Sequence, residues 1–560
     1  MLSRIAFLIT RILMKPLYWF IRPRVSPSVL PDEVEFDRTK PVCYVLPSIS
    51  ISDRLVLARV CRMNGLPVPR ANMALPASGE AAVLYLPSLT AAGRGSDDPR
   101  DKALLDAFTT AMADPNYALQ MVPVSMYWGR NPGTETSFFR VLFAHSDKPS
   151  RIRKFFMILV QGRNTFVGFS KAVDFRDFAD QQIEPQSAAR KLARVIRVHF
   201  SRQRTAALGP TLATSEQLAD SVLTTSSVRA AIMAHKEAQG VTTEQAQAQA
   251  KKYVEEIAAK YSSTVIRILD LFLTWVWRKI FAGVKTYHAE RLRSAAADHG
   301  VIYMPSHRSH FDYLLISQTL YCNGLVPPHI AAGINLNFWP VGSLLRRGGA
   351  FYIRRTFAGK KLYTAVFRAY LDVLINRGYS IEFFPEGGRS RTGRLLQPKT
   401  GVLSMALQSG LRNQVKPLIF VPVYVGYDRL IEANSYAKEL SGGEKKKESA
   451  SQLLSARKIF DSSYGSPYVS FGEPLELDAH LDATYPNWRE EAKASDGKPE
   501  WLSELVEYVS QDNMRRINAS AVLNPVALVS MILLSSPRGS IAESEMVSQI
   551  AVFLELLKKR

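Results

Sequence analysis

The chain has 560 residues, 47% of them hydrophobic and 22% charged, and a net charge of +21. That length exceeds what one hydrophobic core fills, and the composition excludes long disorder. So basic a balance implies an anionic partner: nucleic acid, an acidic membrane surface or a phosphorylated substrate.

In chain order, residues 1–25 mix Ile, Leu, Phe and Trp with Arg4, Arg11, Lys15, Arg22 and Arg24 and contain no acid. No segment of the chain offers the roughly 20 uninterrupted apolar residues of a spanning helix, and no cleavable leader is visible. Residues 1–30 are therefore expected to lie in a membrane interface, apolar face in and cations toward anionic headgroups. Ser26 to Asp37 reads as a linker. From Pro41 short β-branched runs alternate with helical periodicity, so residues 31–186 form an α/β domain. Residues 187–300 are expected to be a linker of solvated helices, because Ser187 to Lys260 is rich in Ala, Gln, Glu, Lys and Arg. Within it, Thr264 to Val284 carries Arg267, Asp270, Arg278 and Lys279 in an apolar, Trp-bearing stretch, a second interfacial candidate. Residues 301–480 form another α/β domain. Its strands are Val301 to Met304, Ile381 to Phe384 and Leu418 to Val425. Its helices are Phe311 to Cys322 and Lys360 to Arg377, the latter with Leu362, Val366, Tyr370 and Val373 on one face. The alternation predicts a mostly parallel sheet covered by helices. Residues 481–560 read as helical. The scattered cysteines Cys43, Cys61 and Cys322 form no C-x-x-C pair, which excludes a disulfide framework and suits a reducing compartment.

The two α/β domains echo each other. Val45-Leu-Pro-Ser48 resembles Tyr303-Met-Pro-Ser306, Asn64-Gly65-Leu66 resembles Asn323-Gly324-Leu325, and Val122-Pro-Val124 resembles Val421-Pro-Val423. Several matches in one order imply a duplicated unit. By this alignment Ile49 stands where the second copy has His307, with one residue fewer before Asp53 than before Asp312. The first copy reads as degenerate.

The chemistry concentrates in Ser306-His-Arg-Ser-His-Phe-Asp312, where a strand gives way to a helix, the edge at which open α/β sheets bind ligands. Asp312 can fold back on His307, fix its tautomer and leave the other nitrogen to take a proton from a hydroxyl. An H-x4-D pattern alone arises easily by chance; the residues that follow give it weight. Gly349 to Arg355 ends in two guanidinium groups, and Phe384-Pro-Glu-Gly-Gly-Arg-Ser-Arg-Thr-Gly393 joins a carboxylate, three glycines and two arginines. Arginines beside glycines suit a phosphate. Val421-Pro-Val-Tyr-Val425 is a strand containing proline, expected at an edge or a bulge. His307, His310, Asp312 and His329 also read as a zinc set, which the arginine cluster disfavours.

These segments resemble the four motifs of the glycerolipid acyltransferase family. The similarity is to its membrane-associated bacterial glycerol-3-phosphate acyltransferases, and it extends along nearly the whole chain. The resemblance implies an acyltransferase α/β domain with His307 and Asp312 as the catalytic pair. It implies a glycerol 3-phosphate site at Arg354, Glu386, Gly387, Arg389 and Ser390, to which the reading of cations beside glycines and strand ends adds Arg355, Arg391 and Lys399, and an acyl-side motif at Pro422. It implies transfer of a fatty-acyl group from acyl-CoA or acyl carrier protein to glycerol 3-phosphate, with no cofactor and no metal. The expected setting is the cytoplasmic face of the inner cell membrane, with anionic lipids rather than nucleic acid as partners. An acceptor such as lysophosphatidate, or a non-enzymatic basic membrane protein, are the alternatives. Such proteins carry a longer C-terminal region, so the chain reads as a short or truncated member.

Overall fold

The computed structural model describes residues 39–72, 80–86, 119–128, 165–174, 185–210, 212–412, 416–442, 462–537 and 539–559, with isolated positions between 21 and 113 and at 460. These residues form two compact units. The first takes described residues of Met1–Leu212 together with Arg293–Asp298 and Cys322–Val326; the second takes Ala213–Leu292, His299–Tyr321 and the rest of the chain from Pro327.

The strands of the first unit are β1 (Arg24–Ser26), β2 (Val42–Leu46), β3 (Pro69–Asn72), β4 (Ala81–Tyr85), β5 (Gln120–Trp128), β6 (Thr165–Phe169) and β7 (Val173–Asp174). They lie in the order β1-β6-β5-β2-β4-β3, with β7 also on β5. Helix α1 (Ile51–Met63) follows β2, and α2 (Pro185–Leu208) closes this part of the chain. β2 and β4 are buried along their whole length, as strands covered on both faces must be, so they read as continuous apolar runs rather than alternating ones. Their side chains join Val56, Leu57 and Val60 of α1 in one core.

The strands of the second unit are β8 (Lys285–Tyr287), β9 (Gly300–Pro305), β10 (His329–Gly333), β11 (Ala350–Ile353), β12 (Ile381–Glu382), β13 (Leu418–Tyr427), β14 (Pro467–Phe471) and β15 (Leu475–Glu476). Their order is β8-β14-β13-β9-β12-β10-β11, with β15 also on β13. Apart from the extra β11, this is the order of the first sheet, and the senses agree throughout. The β5–β6, β5–β7, β13–β14 and β13–β15 pairs are antiparallel and the others parallel.

Register corrects the alignment read from residue types. Pro123 pairs with Val45, and Pro422 pairs with Met304. Val124 meets Phe169 as Val423 meets Phe471. Val45 therefore corresponds to Met304, so Ser48, not Ile49, stands at the position of His307, and Asp53 falls on Asp312 with no residue missing. The glycines agree: Gly65 and Gly324 follow the two helices with φ +65° and +85°, the left-handed turn that glycine accepts most readily. The Pro-Ser dipeptides had drawn the alignment one residue out, because like residues there occupy unlike places on the strand.

Pro422 is not at an edge. β13 lies between β9 and β14. The proline stands instead at a bulge: Val421 and Pro422 face the three residues 472–474, between β14, which ends at Phe471, and β15, which starts at Leu475, where the ladder is already interrupted and a missing N–H costs least. Gly472 N–H donates to the Pro422 carbonyl at 2.9 Å.

Two expectations about helices change. The segment expected to be a solvated linker is largely packed. Helices α3 (Ser215–Leu223), α4 (Ser226–Gln239) and α5 (Thr243–Ile257) rest on α8 (Lys361–Asn376), burying Val222, Val228, Ala246, Ala250 and Val254. The alanines that made the stretch look solvent-loving allow close helix approach. On α8, Leu362, Val366 and Tyr370 are buried and Val373 is half-buried. The interfacial segment expected over residues 1–30 lies mostly outside the described residues; where it is described, Ile21 is buried and Arg24–Ser26 is strand. Residues beyond 481 are helical, including α10 (Leu502–Ala519), which packs on β13, then α11 (Pro525–Ser535) and α12 (Glu543–Lys558).

Candidate active site

Strand β9 ends at Pro305, a six-residue turn follows, and α7 (Asp312–Cys322) begins with an aspartate, whose charge the helix N-terminus favours. Asp312 is fully buried and accepts four hydrogen bonds. Its Oδ2 takes His307 Nδ1 at 2.8 Å, Arg308 N–H at 2.6 Å and Ser309 N–H at 2.9 Å, and its Oδ1 takes the Tyr427 hydroxyl at 2.7 Å. His307 is 17% exposed, and its ring lies 4.1 Å from that of Phe384. With Nδ1 facing a carboxylate, the other ring nitrogen is the one left for chemistry.

Three carboxylates surround this turn. Glu386 Oε1 accepts His307 N–H and its Oε2 accepts Leu396 N–H, both at 2.8 Å. Glu432 accepts from the Ser309 hydroxyl and from His310 N–H at 2.9 Å. Burial raises the pKa of both groups, and the amide bonds pull it partly back. Glu382 of β12 is buried with both oxygens unpartnered, and burial raises it furthest, with Asp312 adding to the shift.

His307 opens on a cavity of about 710 Å³ whose lining has two characters. One part is cationic: Arg354, Arg355, Arg389, Arg391 and Lys399, with Gly387 and Gly388. Gly387 has φ +60°, and an added Cβ there would sit 2.7 Å from the Lys399 side chain. Glycine thus lets the loop and the lysine close on each other. The other part is apolar. Ile266, Leu269 and Leu273 come from α6 (Ser263–Ile280), Tyr313 and Leu314 from α7, and Ile330 from β10.

The expected phosphate ligands divide accordingly. Arg354, Arg355, Gly387, Arg389, Arg391 and Lys399 line the cavity; Glu386 and Ser390 do not. The two oxygens of Glu386 are taken by backbone, so it joins the turn of His307 to the loop of Leu396. Ser390 is buried, and its N–H holds the carbonyl of His307 at 2.9 Å. Pro422 also lies away from the cavity, within β13. Arg354 pairs with Glu256, Arg389 donates to the Tyr436 hydroxyl at 2.8 Å, and Arg391 pairs with Glu439 at 3.2 Å. Sequence reasoning missed Tyr427, Glu432, Glu256 and the apolar wall. The wall alone had a signal, the apolar face of Thr264 to Val284, which from sequence is a candidate interfacial helix.

Of the supposed zinc set, His307 and His310 line the cavity and His329 does not. His329 is buried between the rings of Tyr261 and Tyr379, with burial lowering its pKa to about 4. Among the described residues no group of three or more His, Cys, Asp or Glu is arranged to hold a metal.

Residues 9–209 match the glycerol-3-phosphate acyltransferase PlsB N-terminal domain, 283–426 match the acyltransferase family, and 436–560 match the glycerol-3-phosphate acyltransferase C-terminal region. A glycerol-3-phosphate acyltransferase from Alteromonas mediterranea is 43% identical over 548 residues, covering 97% of this chain and 67% of its own length. The chain belongs to the glycerol-3-phosphate acyltransferase family. A second member, from Shewanella denitrificans, is 44% identical over 552 residues with the same coverage, so the chain spans about two thirds of these relatives. Among solved structures, the 1-acyl-sn-glycerophosphate (LPA) acyltransferase PlsC from Thermotoga maritima matches 46% of this chain and 80% of its own, at 17% identity and a TM-score of 0.27. That likeness is too distant to bear on the site.

Proposed function

We propose that the protein transfers a fatty-acyl group from acyl-CoA or acyl carrier protein to the sn-1 hydroxyl of glycerol 3-phosphate. The product is 1-acyl-glycerol 3-phosphate, the lysophosphatidate that begins phospholipid synthesis. The observation that carries this reading is the two-character cavity at His307. Its cations suit a phosphate and its apolar wall suits an acyl chain.

In the proposed mechanism the glycerol 3-phosphate anion lies among Arg354, Arg389, Arg391 and Lys399, which brings its hydroxyl to His307. Nε2 takes the hydroxyl proton while Asp312 holds Nδ1–H and offsets the imidazolium charge. The alkoxide oxygen attacks the thioester carbonyl, a C–O bond forms, and the C–S bond breaks as the tetrahedral intermediate collapses. The departing thiolate takes the proton from the imidazolium, so the histidine returns neutral. Holding both substrates in one cavity lowers the barrier further by sparing the entropy of their encounter.

A membrane-surface setting is part of the proposal. Among the described residues no helix is long and apolar enough to cross a membrane. Helix α6 buries Ile266, Leu273 and Trp277 on one side and exposes Ile268, Leu271, Phe272 and Trp275 on another, with Arg278 and Lys279 exposed at its end. An apolar stripe closed by cations suits an anionic leaflet. The same helix walls the cavity, so an acyl chain there has a short route from the bilayer.

The test is an assay of purified protein in detergent with labelled glycerol 3-phosphate and palmitoyl-CoA. Labelled 1-acyl-glycerol 3-phosphate is expected from the natural chain and none from His307→Ala. Absence of product with the natural chain, or full turnover by the variant, overturns the proposal.

A further inference from the structure

We infer that Tyr427 is a positioning residue for the acyl transfer, the third member of a Tyr427–Asp312–His307 chain of hydrogen bonds. The inference rests on the reading of His307 as the base.

Asp312 serves two sides. Its Oδ2 is occupied by His307 and two backbone amides, while its Oδ1 takes the hydroxyl of Tyr427, the last residue of β13, at 2.7 Å. A carboxylate fixed at both oxygens cannot turn about its Cβ–Cγ bond, so Oδ2 stays in line with Nδ1 as the imidazole changes charge. Tyr427 is suited to donate steadily. Burial first, then the charge of Asp312, hold its hydroxyl protonated far beyond the ordinary range.

The first unit supplies an independent observation. Trp128 Nε1–H donates to Asp53 Oδ1, also at 2.7 Å. Register makes these the same contact: Trp128 stands five residues after Pro123 as Tyr427 stands five after Pro422, and Asp53 stands eight after Val45 as Asp312 stands eight after Met304. An aromatic donor from the end of the fifth strand of the repeat thus anchors the aspartate in both copies. The first copy has Ser48 where a base would be, so there the anchor only fixes the start of a helix. In the second copy the anchored carboxylate also faces a histidine.

Other ionisable groups face this chain. Glu382 from β12 and Glu432 before α9 (Ala433–Leu440) act on Asp312, and Glu386 and Arg308 stand beside His307. The measurement must therefore compare variants with the natural chain under one set of conditions. Without the Tyr427 hydroxyl, more of the negative charge of Asp312 bears on the imidazole, and its protonated form is favoured. The acid limb of the pH profile should then move to higher pH.

The experiment measures kcat, KM for glycerol 3-phosphate, pH profile and thermal midpoint for Tyr427→Phe and Trp128→Phe in the full chain, beside His307→Ala. For Tyr427→Phe we expect kcat to fall about tenfold, the low end for a lost hydrogen bond to a charged group. Its KM should stay within about twofold, and its acid limb should rise by about half a pH unit. Trp128→Phe should leave kcat and the acid limb as they are. An unchanged kcat and acid limb in Tyr427→Phe overturns the inference, as does an equal loss in Trp128→Phe, which would make the contact purely structural in both copies. A rise in KM with kcat intact also overturns it, by assigning the tyrosine to substrate binding. Activity in His307→Ala is a different failure, that of the base itself.

Discussion

Arg354 and Glu256 meet in a two-pronged ion pair, Nε to Oε1 and Nη2 to Oε2, both at 2.6 Å. The guanidinium also lies 5.0 Å from the Tyr253 ring and 4.6 Å from the Tyr363 ring. A rim arginine is thus held flat by two aromatic faces and by a carboxylate that shares its charge with any anion in the cavity.

Removing either partner should act on one substrate only. Arg354→Ala should raise KM for glycerol 3-phosphate about 10- to 150-fold, the range of one lost charge-assisted hydrogen bond, with KM for the thioester little changed. Glu256→Gln keeps a hydrogen-bonding partner for the fork but removes a negative charge, so KM for glycerol 3-phosphate should fall about two- to threefold. Steady-state kinetics with each substrate varied in turn checks both. A higher KM in Glu256→Gln would mean that the carboxylate serves chiefly to hold Arg354 in place.

His307 and Asp312 should separate in stability though not in activity. His307→Ala should abolish turnover with a thermal midpoint close to that of the natural chain, since the side chain faces the cavity rather than the packed core. Asp312→Ala should abolish turnover and also cost about 3–5 kcal/mol, because it strands four donors around a buried site. His310→Ala should retain most activity, its side chain lying outside the pair. Urea melts beside the acyl-transfer assay decide this; an unaltered melt for Asp312→Ala would contradict the four-bond anchor.

Glu382 gives a pH prediction. Its folded-state pKa is raised well above the usual 4.5, by burial and then by Asp312. The group therefore contributes stability below about pH 4.5, which is lost as pH rises through the raised value. Glutamine does not titrate. Glu382→Gln should match the natural chain near pH 4 and exceed it by about 1–3 kcal/mol at neutral pH and above. A difference independent of pH would show that the glutamate is not titrating as its burial implies.

The exposed face of α6 should govern membrane binding. Replacing Leu271 and Trp275 together by serine removes two large apolar side chains worth roughly 1.5–3 kcal/mol each on burial. Co-sedimentation with anionic phosphatidylglycerol vesicles should weaken at least tenfold, while turnover of a short-chain, water-soluble acyl-CoA stays near normal. Undiminished sedimentation would remove α6 from the membrane face.

Much of the second domain was legible in the chain itself. Apolar runs bounded by glycines marked β9, α7 and α8, because burial on both faces and a left-handed cap each leave a local trace. His307 and Asp312 were visible because the turn that joins them is only a few residues long. So were Arg354, Arg389 and Lys399 as neighbours of strand ends. Long-range relations were not visible. Glu386 looked like a phosphate-site residue until its two oxygens were found on His307 and Leu396, and the alanines of α4 and α5 looked solvated until α8 covered them. Pro422 marked an edge or a bulge, and only the pairing of β13 with β14 and β15 decided for the bulge.

The sequence by itself determined the two α/β repeats, their helices and the motif turn, because periodicity, caps and short turns are set by neighbours along the chain. Tertiary structure alone decided the register that makes Ser48 the counterpart of His307 in the first repeat, the reach of Tyr427 to Asp312 across 115 residues, and the apolar wall beside the arginines. Each of these depends on which strand lies next to which. That is fixed by the summed burial of whole sheet faces, a quantity spread over the domain and written in no single segment.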